Sequence, residues 1–199
     1  MRFALAVVAL PLLATPLRAQ HNFLSAMEYS VAAPIGDSQR FGPGSWSGAN
    51  WEGRWLYHSR SSFGALLGFN EFYRRDIGTT TFPAGAATGD QYRHLLVIPL
   101  LATTAWYFIG NDDDPRWYIG AGAGPQYTEQ SFQLGFDLRR KATWNVVLVP
   151  EIGLAFQAWY GTGGIVAVRY HLPTESAAFL GDGRRRFPYA SLSVGFGYR

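Results

Sequence analysis

The sequence predicts an all-β fold, an eight-stranded antiparallel up-and-down transmembrane β-barrel with short periplasmic turns and long external loops. Seven segments alternate apolar residues with polar or small ones at a period of two, and an eighth segment, 95–108, is apolar throughout. This alternation is typical of strands whose two faces have different surroundings. Connections between the segments alternate between long and short. No segment after residue 19 is long and apolar enough for a transmembrane helix, so only strands could cross a membrane.

The N-terminal residues have the features of a secretory signal peptide. Arg2 precedes an apolar run over residues 3–13, and the stretch 14–20 ("ATPLRAQ") has a small residue just before Gln20. A membrane anchor needs about 20 apolar residues, and this run is shorter. We therefore expect residues 1–19 to be a signal peptide cleaved after Ala19. Residues 20–199 would then form an exported barrel domain located in the cell outer membrane.

Each strand is predicted from its own alternation. The more apolar faces of the first three strands hold Met27, Tyr29 and Val31, then Trp51, Trp55 and Tyr57, then Phe63, Ala65, Leu67 and Phe69. The register of the fourth strand, 95–108, stays open because both of its faces are apolar. The fifth to eighth strands are predicted at "WYIGAGAGPQY" (117–127), "VPEIGLAFQAW" (149–159), "IVAVRYH" (165–171) and "ASLSVGFGYR" (190–199). Pro99, Pro125 and Pro150 fall inside strands, where each removes one ladder hydrogen bond.

The connections indicate which kind of β-protein this is. The long ones are expected at 33–49, 74–91, 128–143 and 172–187, and the short ones near 59–62, 110–115 and 160–163. A water-soluble meander has no reason to keep all of its long loops at one end, whereas an outer-membrane barrel has short periplasmic turns and long external loops. Closing eight strands removes both sheet edges and leaves an interior that side chains can fill. The apolar face would then meet lipid, and the polar face would line the lumen.

Four stretches carry a resemblance to a known family: "EYSVAAPIGD" (28–37), "YIGAGAGPQY" (118–127), "VPEIGLAF" (149–156) and "LSVGFGYR" (192–199). They resemble the small eight-stranded outer-membrane β-barrel proteins, the group that includes OmpA-like barrel domains and the OmpW- and OmpX-like proteins. The resemblance implies a structural or loop-mediated ligand-binding role, and a monomer surrounded by outer-membrane lipid. It also implies that the barrel insertion machinery recognises a terminal aromatic residue, here Tyr198, displaced by one position by Arg199.

The polar faces of the strands carry a set of charged residues and histidines. We expect a lumen polar network formed by Glu28, Glu52, Arg54, His58, Glu151, Arg169 and His171. Unpaired charge in a low-dielectric interior is costly, so these groups should pair across the lumen. They could line a polar or gated pore, or they could form an ion-pair plug that fills a closed barrel. Eight strands favour the plug, because aqueous channels generally need more strands.

Basic residues cluster in three of the predicted long loops. The clusters are Arg74 and Arg75, then Arg139, Arg140 and Lys141, then Arg184, Arg185 and Arg186. If these loops are external they face the phosphates of lipopolysaccharide, which arginine can bind through two parallel hydrogen bonds. The alternative is that these charges are simply solvated.

Two other functional classes stay open at this point. A lipid-A deacylase-like enzyme would need a serine, a histidine and a carboxylate, which Ser176, His171 and Glu175 could supply, although the His-x-Ser spacing of that family is absent. A soluble lipocalin-like binding barrel would instead place the aromatic alternation inside its cup.

Composition and spacing argue against most cofactors and several partners. The chain has no cysteine and a net charge of only +3, so neither Cys-ligated metal nor nucleic acid is expected. "NDDDP" (111–115) lacks the spacing of a calcium loop, and "GAGAG" (120–124) lacks the spacing of a dinucleotide fingerprint. The four histidines are far apart in sequence. We expect no cofactor and no metal.

Overall fold

The computed structural model describes residues 23–58, 60–82, 85–109, 115–135, 137–159, 162–176 and 185–198. The strands are β1 (Phe23–Pro34), β2 (Ser45–His58), β3 (Ser61–Phe82), β4 (Gly85–Ile109), β5 (Arg116–Leu134), β6 (Asp137–Trp159), β7 (Thr162–Pro173) and β8 (Tyr189–Tyr198). A short 3₁₀ helix, Gly36–Phe41, follows β1. Within the described ranges, no helix is both long enough and apolar enough to span a membrane. The predicted signal peptide lies outside these ranges.

The eight strands close into a barrel in which sequence neighbours are also spatial neighbours. β1 pairs antiparallel with β2 on one side and with β8 on the other, so that Met27 lies opposite Trp51 and Phe196. Closure gives each strand a partner on both sides in the body of the barrel, while the parts of β3 beyond Phe69 and of β6 before Val147 extend past their shorter neighbours β2 and β7. The predicted up-and-down barrel is confirmed.

Side chains alternate between the outside and the inside of the barrel, as predicted. On β1, Met27 is 75% exposed and Glu28 only 4%. β4, whose register the sequence left open, follows the same rule: Leu100 is 50% exposed and Leu101 only 2%. Its odd-numbered residues from Leu95 to Tyr107 face the lumen. Both faces of β4 are apolar because its inner face packs in the barrel interior while its outer face joins the outward apolar surface.

Four strands extend well beyond the others at one end of the barrel. β3 to β6 have 22, 25, 19 and 23 residues, whereas β1, β2, β7 and β8 have 12, 14, 12 and 10. We call the protruding part of β3–β6 the tall wall, and this end of the barrel the loop end. The opposite end, where β2 passes to β3, is the turn end.

The tall wall changes the interpretation of two predicted loops. Residues 74–91 and 128–143 are mostly strand, and their hairpins are ladders that reach Phe82–Gly85 and Leu134–Asp137. Polar groups pair across these ladders, as where the hydroxyls of Thr79 and Thr88 lie 2.8 Å apart. Exposed polar residues occur on both faces of these hairpins, so they lack the apolar alternation that identifies a strand in sequence.

The three prolines within strands do not break the barrel. Pro125 and Pro150 are exposed on the outer face, opposite Val146 and Ala121 in the β5–β6 ladder, which is continuous. On its other side Pro150 has no partner in the β6–β7 ladder, where pairing resumes at Glu151. Pro99 is buried, and its ring lies against Gly68 of β3, where a side chain would be only 3.0 Å from the ring.

An apolar cluster closes the lumen at the loop end. We call this apolar cluster, which is distinct from the charged residues of the lumen, the plug. Its buried residues are Ala32, Phe41, Phe72, Leu95, Val97, Phe187 and Tyr189. The 3₁₀ helix contributes Phe41, whose ring meets Phe187 edge-on with centroids 5.4 Å apart. The hydroxyl of Ser38 donates to the carbonyl of Pro188 at 2.5 Å, which ties the helix to the segment before β8. Gly42 follows with a φ of +139°, and its backbone packs on the carbonyl of Tyr73, so a side chain would be strained there.

Candidate functional site

Five charged side chains on β1, β2, β6 and β7 point into the lumen and are buried: Glu28, Glu52, Arg54, Glu151 and Arg169. We call these five residues the lumen network. Period-two alternation sets their direction, and register sets their height, since Glu151 lies directly opposite Arg169 in the β6–β7 ladder. An eight-stranded barrel is only wide enough for side chains, so inward charges at similar height must meet.

Arg169 is the centre of the lumen network because it bonds to all three carboxylates. Its Nη1 donates to Glu28 Oε2 at 2.5 Å, and its Nη2 donates to Glu52 Oε2 at 2.8 Å. Its Nε donates to Glu151 Oε2 at 2.8 Å. The guanidinium therefore uses its whole fork of donors, an arrangement that lysine could not reproduce.

Arg54 completes the lumen network from the other side. Its Nε donates to Glu52 Oε1 and its Nη2 to Glu151 Oε1, both at 2.7 Å. Glu52 and Glu151 each bridge the two arginines, so the charges form one connected group across the barrel. The guanidinium of Arg54 also lies 4.3 Å from the centroid of the Tyr118 ring.

Neutral groups extend this arrangement, and the sequence analysis did not select them. The Asn50 amide donates to Glu28 Oε2 at 3.1 Å and to Ser193 Oγ at 2.9 Å. The Tyr118 hydroxyl accepts a hydrogen bond from Arg54 at 3.1 Å. These residues lie at inward positions of their strands, so the alternation itself was the signal that could have found them.

The two histidines of the predicted network occupy different places. His171 is buried nearer the plug, stacked on Tyr189 with ring centroids 4.0 Å apart, and its Nε2 lies 3.2 Å from Ser191 Oγ. His58 is exposed at the end of β2, so the prediction that it faces the lumen is wrong. The β2–β3 register shifts between Leu56 and His58, and this irregularity interrupts the alternation that predicted its direction.

The structure does not assemble the candidate hydrolase triad. His171 uses Nε2 for Ser191, and its Nδ1 has no hydrogen-bond partner. Ser176 is buried, and its hydroxyl accepts a hydrogen bond from the Asn145 amide at 3.0 Å. The Glu175 carboxylate is partly exposed, with Arg186 3.9 Å away. The three groups therefore have separate partners.

The outer surface of the barrel is apolar and carries aromatic residues towards both ends. Exposed aromatic residues towards the turn end are Trp55, Tyr57, Trp106, Trp117 and Tyr198, and those towards the loop end are Tyr29, Trp46, Tyr73 and Trp144. On β8, Phe196 is 74% exposed. A soluble lipocalin-like barrel would hold its aromatic face inside, so that interpretation is wrong for this chain.

The basic clusters lie mainly on the tall wall. Arg74 and Arg75 are on β3, and residues 139–141 are on β6, so these cations occupy strands and not loops. Arg185 forms an ion pair with Asp37 at 3.0 Å, and Arg184 lies outside the described residues.

Alternation along the tall wall divides its cations between two faces. Arg75 and Arg140 share the outer face with Tyr73 and Trp144, while the inner face continues from the lumen and holds Arg74, Arg93, Arg139 and Lys141. Arg75 donates to Asp90 at 3.0 Å, and this hydrogen bond raises the pKa of Arg75. Among the described residues, no group of His, Asp or Glu is arranged to hold a metal ion.

Comparison with known proteins identifies the fold. No family model matches the chain, and no curated protein sequence matches it. Neisserial surface protein A superposes with a TM-score of 0.56 at 12% identity, covering 89% of this chain and 96% of that one. Ail, the attachment invasion locus protein of Yersinia pestis, superposes with a TM-score of 0.52 at 12% identity, covering 89% and 97%. At this identity the similarity establishes a shared barrel fold.

Proposed function

We propose that this protein resides in the outer membrane as a closed, non-enzymatic barrel whose loop end faces the cell exterior and engages ligands there. The observation that carries the proposal is the contrast between the two surfaces of the barrel wall. Its outer surface is apolar, with aromatic residues towards both ends, while its interior is filled by the lumen network and the plug. In water this arrangement would expose a large apolar surface. In a bilayer the apolar surface meets lipid, and the charged side chains stay inside the barrel.

The aromatic residues support a transmembrane orientation. Tyrosine and tryptophan are enriched at the two membrane–water interfaces, where the ring is apolar and its polar group reaches water. Between the two sets of aromatic residues, the outer face presents aliphatic side chains such as Leu67, Leu148 and Val194. The tall wall would extend beyond the bilayer at the loop end, which corresponds to the exterior in barrels with short periplasmic turns.

The outer face of the tall wall is suited to contact with lipopolysaccharide. Arg75 and Arg140 lie on the face that would be turned towards the surrounding leaflet, close in sequence to Tyr73 and Trp144. Arginine binds phosphate through charge-assisted hydrogen bonds, and lipopolysaccharide presents phosphates at this level. Neisserial surface protein A and Ail are named for a surface location and for attachment and invasion, which agrees with a role at the cell exterior.

Single-channel recording tests whether the lumen is closed. We expect the purified barrel, reconstituted in a planar bilayer, to show no stable open-channel conductance, because two guanidiniums and three carboxylates are bonded across its width. A wide porin recorded in the same bilayers is the positive control. A stable, ion-conducting open state as the dominant state of the wild-type protein would refute the closed lumen.

A further inference from the structure

Two arginines lie directly opposite each other on the inner face of the tall wall. In the β3–β4 ladder Arg74 pairs with Arg93, one step beyond Phe72 and Leu95 of the plug. The same row continues across β5 and β6 through Phe132 to Arg139. Neighbouring strands are about 4.8 Å apart, so the row places three guanidiniums on one face within four strands.

This arrangement is unfavourable unless an anion compensates it. Like charges directly opposite each other in an antiparallel pair destabilise the sheet. Two nearby acids compensate in part. Arg74 Nε donates to Asp76 Oδ1 at 2.8 Å, which leaves the two terminal nitrogens of Arg74 free of that bond, and Arg139 Nε donates to Asp137 Oδ2 at 3.3 Å. Arg93 has no carboxylate partner among the described residues. Its Nε is buried without a hydrogen-bond partner, and its guanidinium lies 5.8 Å from the centroid of the Phe132 ring.

A cavity opens beside Arg74, the member of the pair that lines it. Its volume is about 330 Å³, and its lining residues are Pro34, Gln39, Gly42, Pro43 and Arg74. Since one water occupies about 30 Å³ of liquid, this space admits a tetrahedral oxyanion together with several waters. The segment 34–43 forms one side of the cavity, and the inner face of β3 forms the other.

We propose that Arg74 and Arg93 form a binding site for a phosphate or sulfate group carried by a soluble molecule from the cell exterior. The proposal rests on the proposed function, because it requires the loop end to face outward from the cell. Terminal nitrogens of Arg74 and Arg93 supply charge-assisted donors to the oxyanion. Arg139 and Lys141 extend the positive surface along β6 for a ligand with more than one anionic group.

The geometry separates this site from the surrounding lipid. The inner face of the tall wall is directed across the barrel axis, whereas lipid headgroups would lie against the outer face. Arg75 provides a matched control, since it is the next residue along β3, has the same side chain and lies on the outer face in an ion pair with Asp90.

The test is a titration of the folded full-length mature barrel with inorganic phosphate, followed by NMR of the arginine Nε–H groups. We expect the Arg93 and Arg74 signals to shift in the wild-type protein. Affinity should fall by about tenfold or more in Arg74→Gln and Arg93→Gln, because each loses hydrogen bonds to a charged group. In Arg75→Gln the phosphate affinity read from the Arg74 and Arg93 signals should stay within about twofold of wild type, since the Arg75 side chain faces away from the site. Equal affinity in all four proteins would overturn the site, as would an equal loss in Arg75→Gln.

Two further measurements keep the result interpretable. Without phosphate, Arg74→Gln should unfold at the same temperature as wild type or a higher one, because it removes the repulsion between opposed cations; a lower temperature would contradict the account of the pair. In nanodiscs containing lipopolysaccharide and no free phosphate, the Arg75 signal should shift while Arg74 and Arg93 do not. Shifts of Arg74 and Arg93 in those nanodiscs would overturn the assignment to a soluble ligand.

These outcomes are separate from those of the proposed function. A heat-modifiable outer-membrane barrel that fails to bind phosphate would refute the arginine site alone. A protein that binds phosphate but fractionates outside the outer membrane would refute the proposed location.

Discussion

Replacing Arg169 with methionine is expected to lower the free energy of unfolding by about 3–5 kcal/mol, because it leaves buried carboxylates without their main partner. Arg169 bonds to Glu28, Glu52 and Glu151, and methionine keeps much of its volume while removing every donor. Urea unfolding of the barrel in lipid vesicles, followed by tryptophan fluorescence, gives the free energy. A variant that does not fold at all agrees with the same expectation.

Two controls separate the effect of unpairing the buried carboxylates from the effect of losing an arginine side chain. Arg75→Met removes an exposed arginine in a solvated ion pair, and surface pairs contribute about 0–1 kcal/mol. The double variant Arg169→Met with Glu28→Gln removes one of the carboxylates left without an arginine partner, and it should recover part of the lost stability. If Arg169→Met is no less stable than Arg75→Met, the lumen network does not hold the barrel together.

Replacing Val194 with arginine is expected to destabilise the barrel by about 2–4 kcal/mol in a bilayer, since a cation on the lipid-facing surface near the membrane midplane is costly. Val194 is exposed near the centre of β8, and its neighbour Ser193 is buried against Asn50, so the two faces of this strand are well separated. The same vesicle-based unfolding experiment measures the effect.

Ile77→Arg is the matched control for this second variant. Ile77 is also an exposed aliphatic residue on the outer face, 80% exposed, but it lies on the tall wall beyond the loop-end aromatic residues. An arginine there should change stability by less than about 0.5 kcal/mol, as is usual for surface substitutions. Equal losses in the two variants would show that the outer face of β8 does not meet lipid.

Most of the barrel could be predicted from the sequence because alternation reports directly on the two faces of a strand. Period-two alternation alone predicted that Glu28, Glu52 and Arg169 face inward, and in the structure Arg169 bonds to both carboxylates. The alternation fails where the chain departs from regular pairing. It therefore predicted the wrong direction for His58, which lies beyond the register shift at the end of β2. Alternation also gives no information where both faces of a strand are apolar, so the register of β4 could not be predicted.

Other features depend on contacts that no local pattern contains. The tall wall has polar residues on both faces, so its strands resemble loops in composition, and only the ladders distinguish them. The opposition of Arg74 and Arg93 follows from the register of the β3–β4 hairpin, which is set by where its turn lies. The partners of Arg54 on β5 and β6 likewise could not be predicted without the closed barrel, because they are distant from Arg54 in sequence.

Heat-modifiability of the mature protein, extracted from the outer-membrane fraction, tests the central claim most directly. The measurement is electrophoretic mobility in SDS with and without boiling. A closed barrel held by a complete ring of ladders and a buried ion-pair network should resist SDS at room temperature, so the unboiled protein should run faster than the boiled one. A protein that is recovered in the soluble fraction and shows one mobility under both conditions would contradict a detergent-resistant transmembrane barrel.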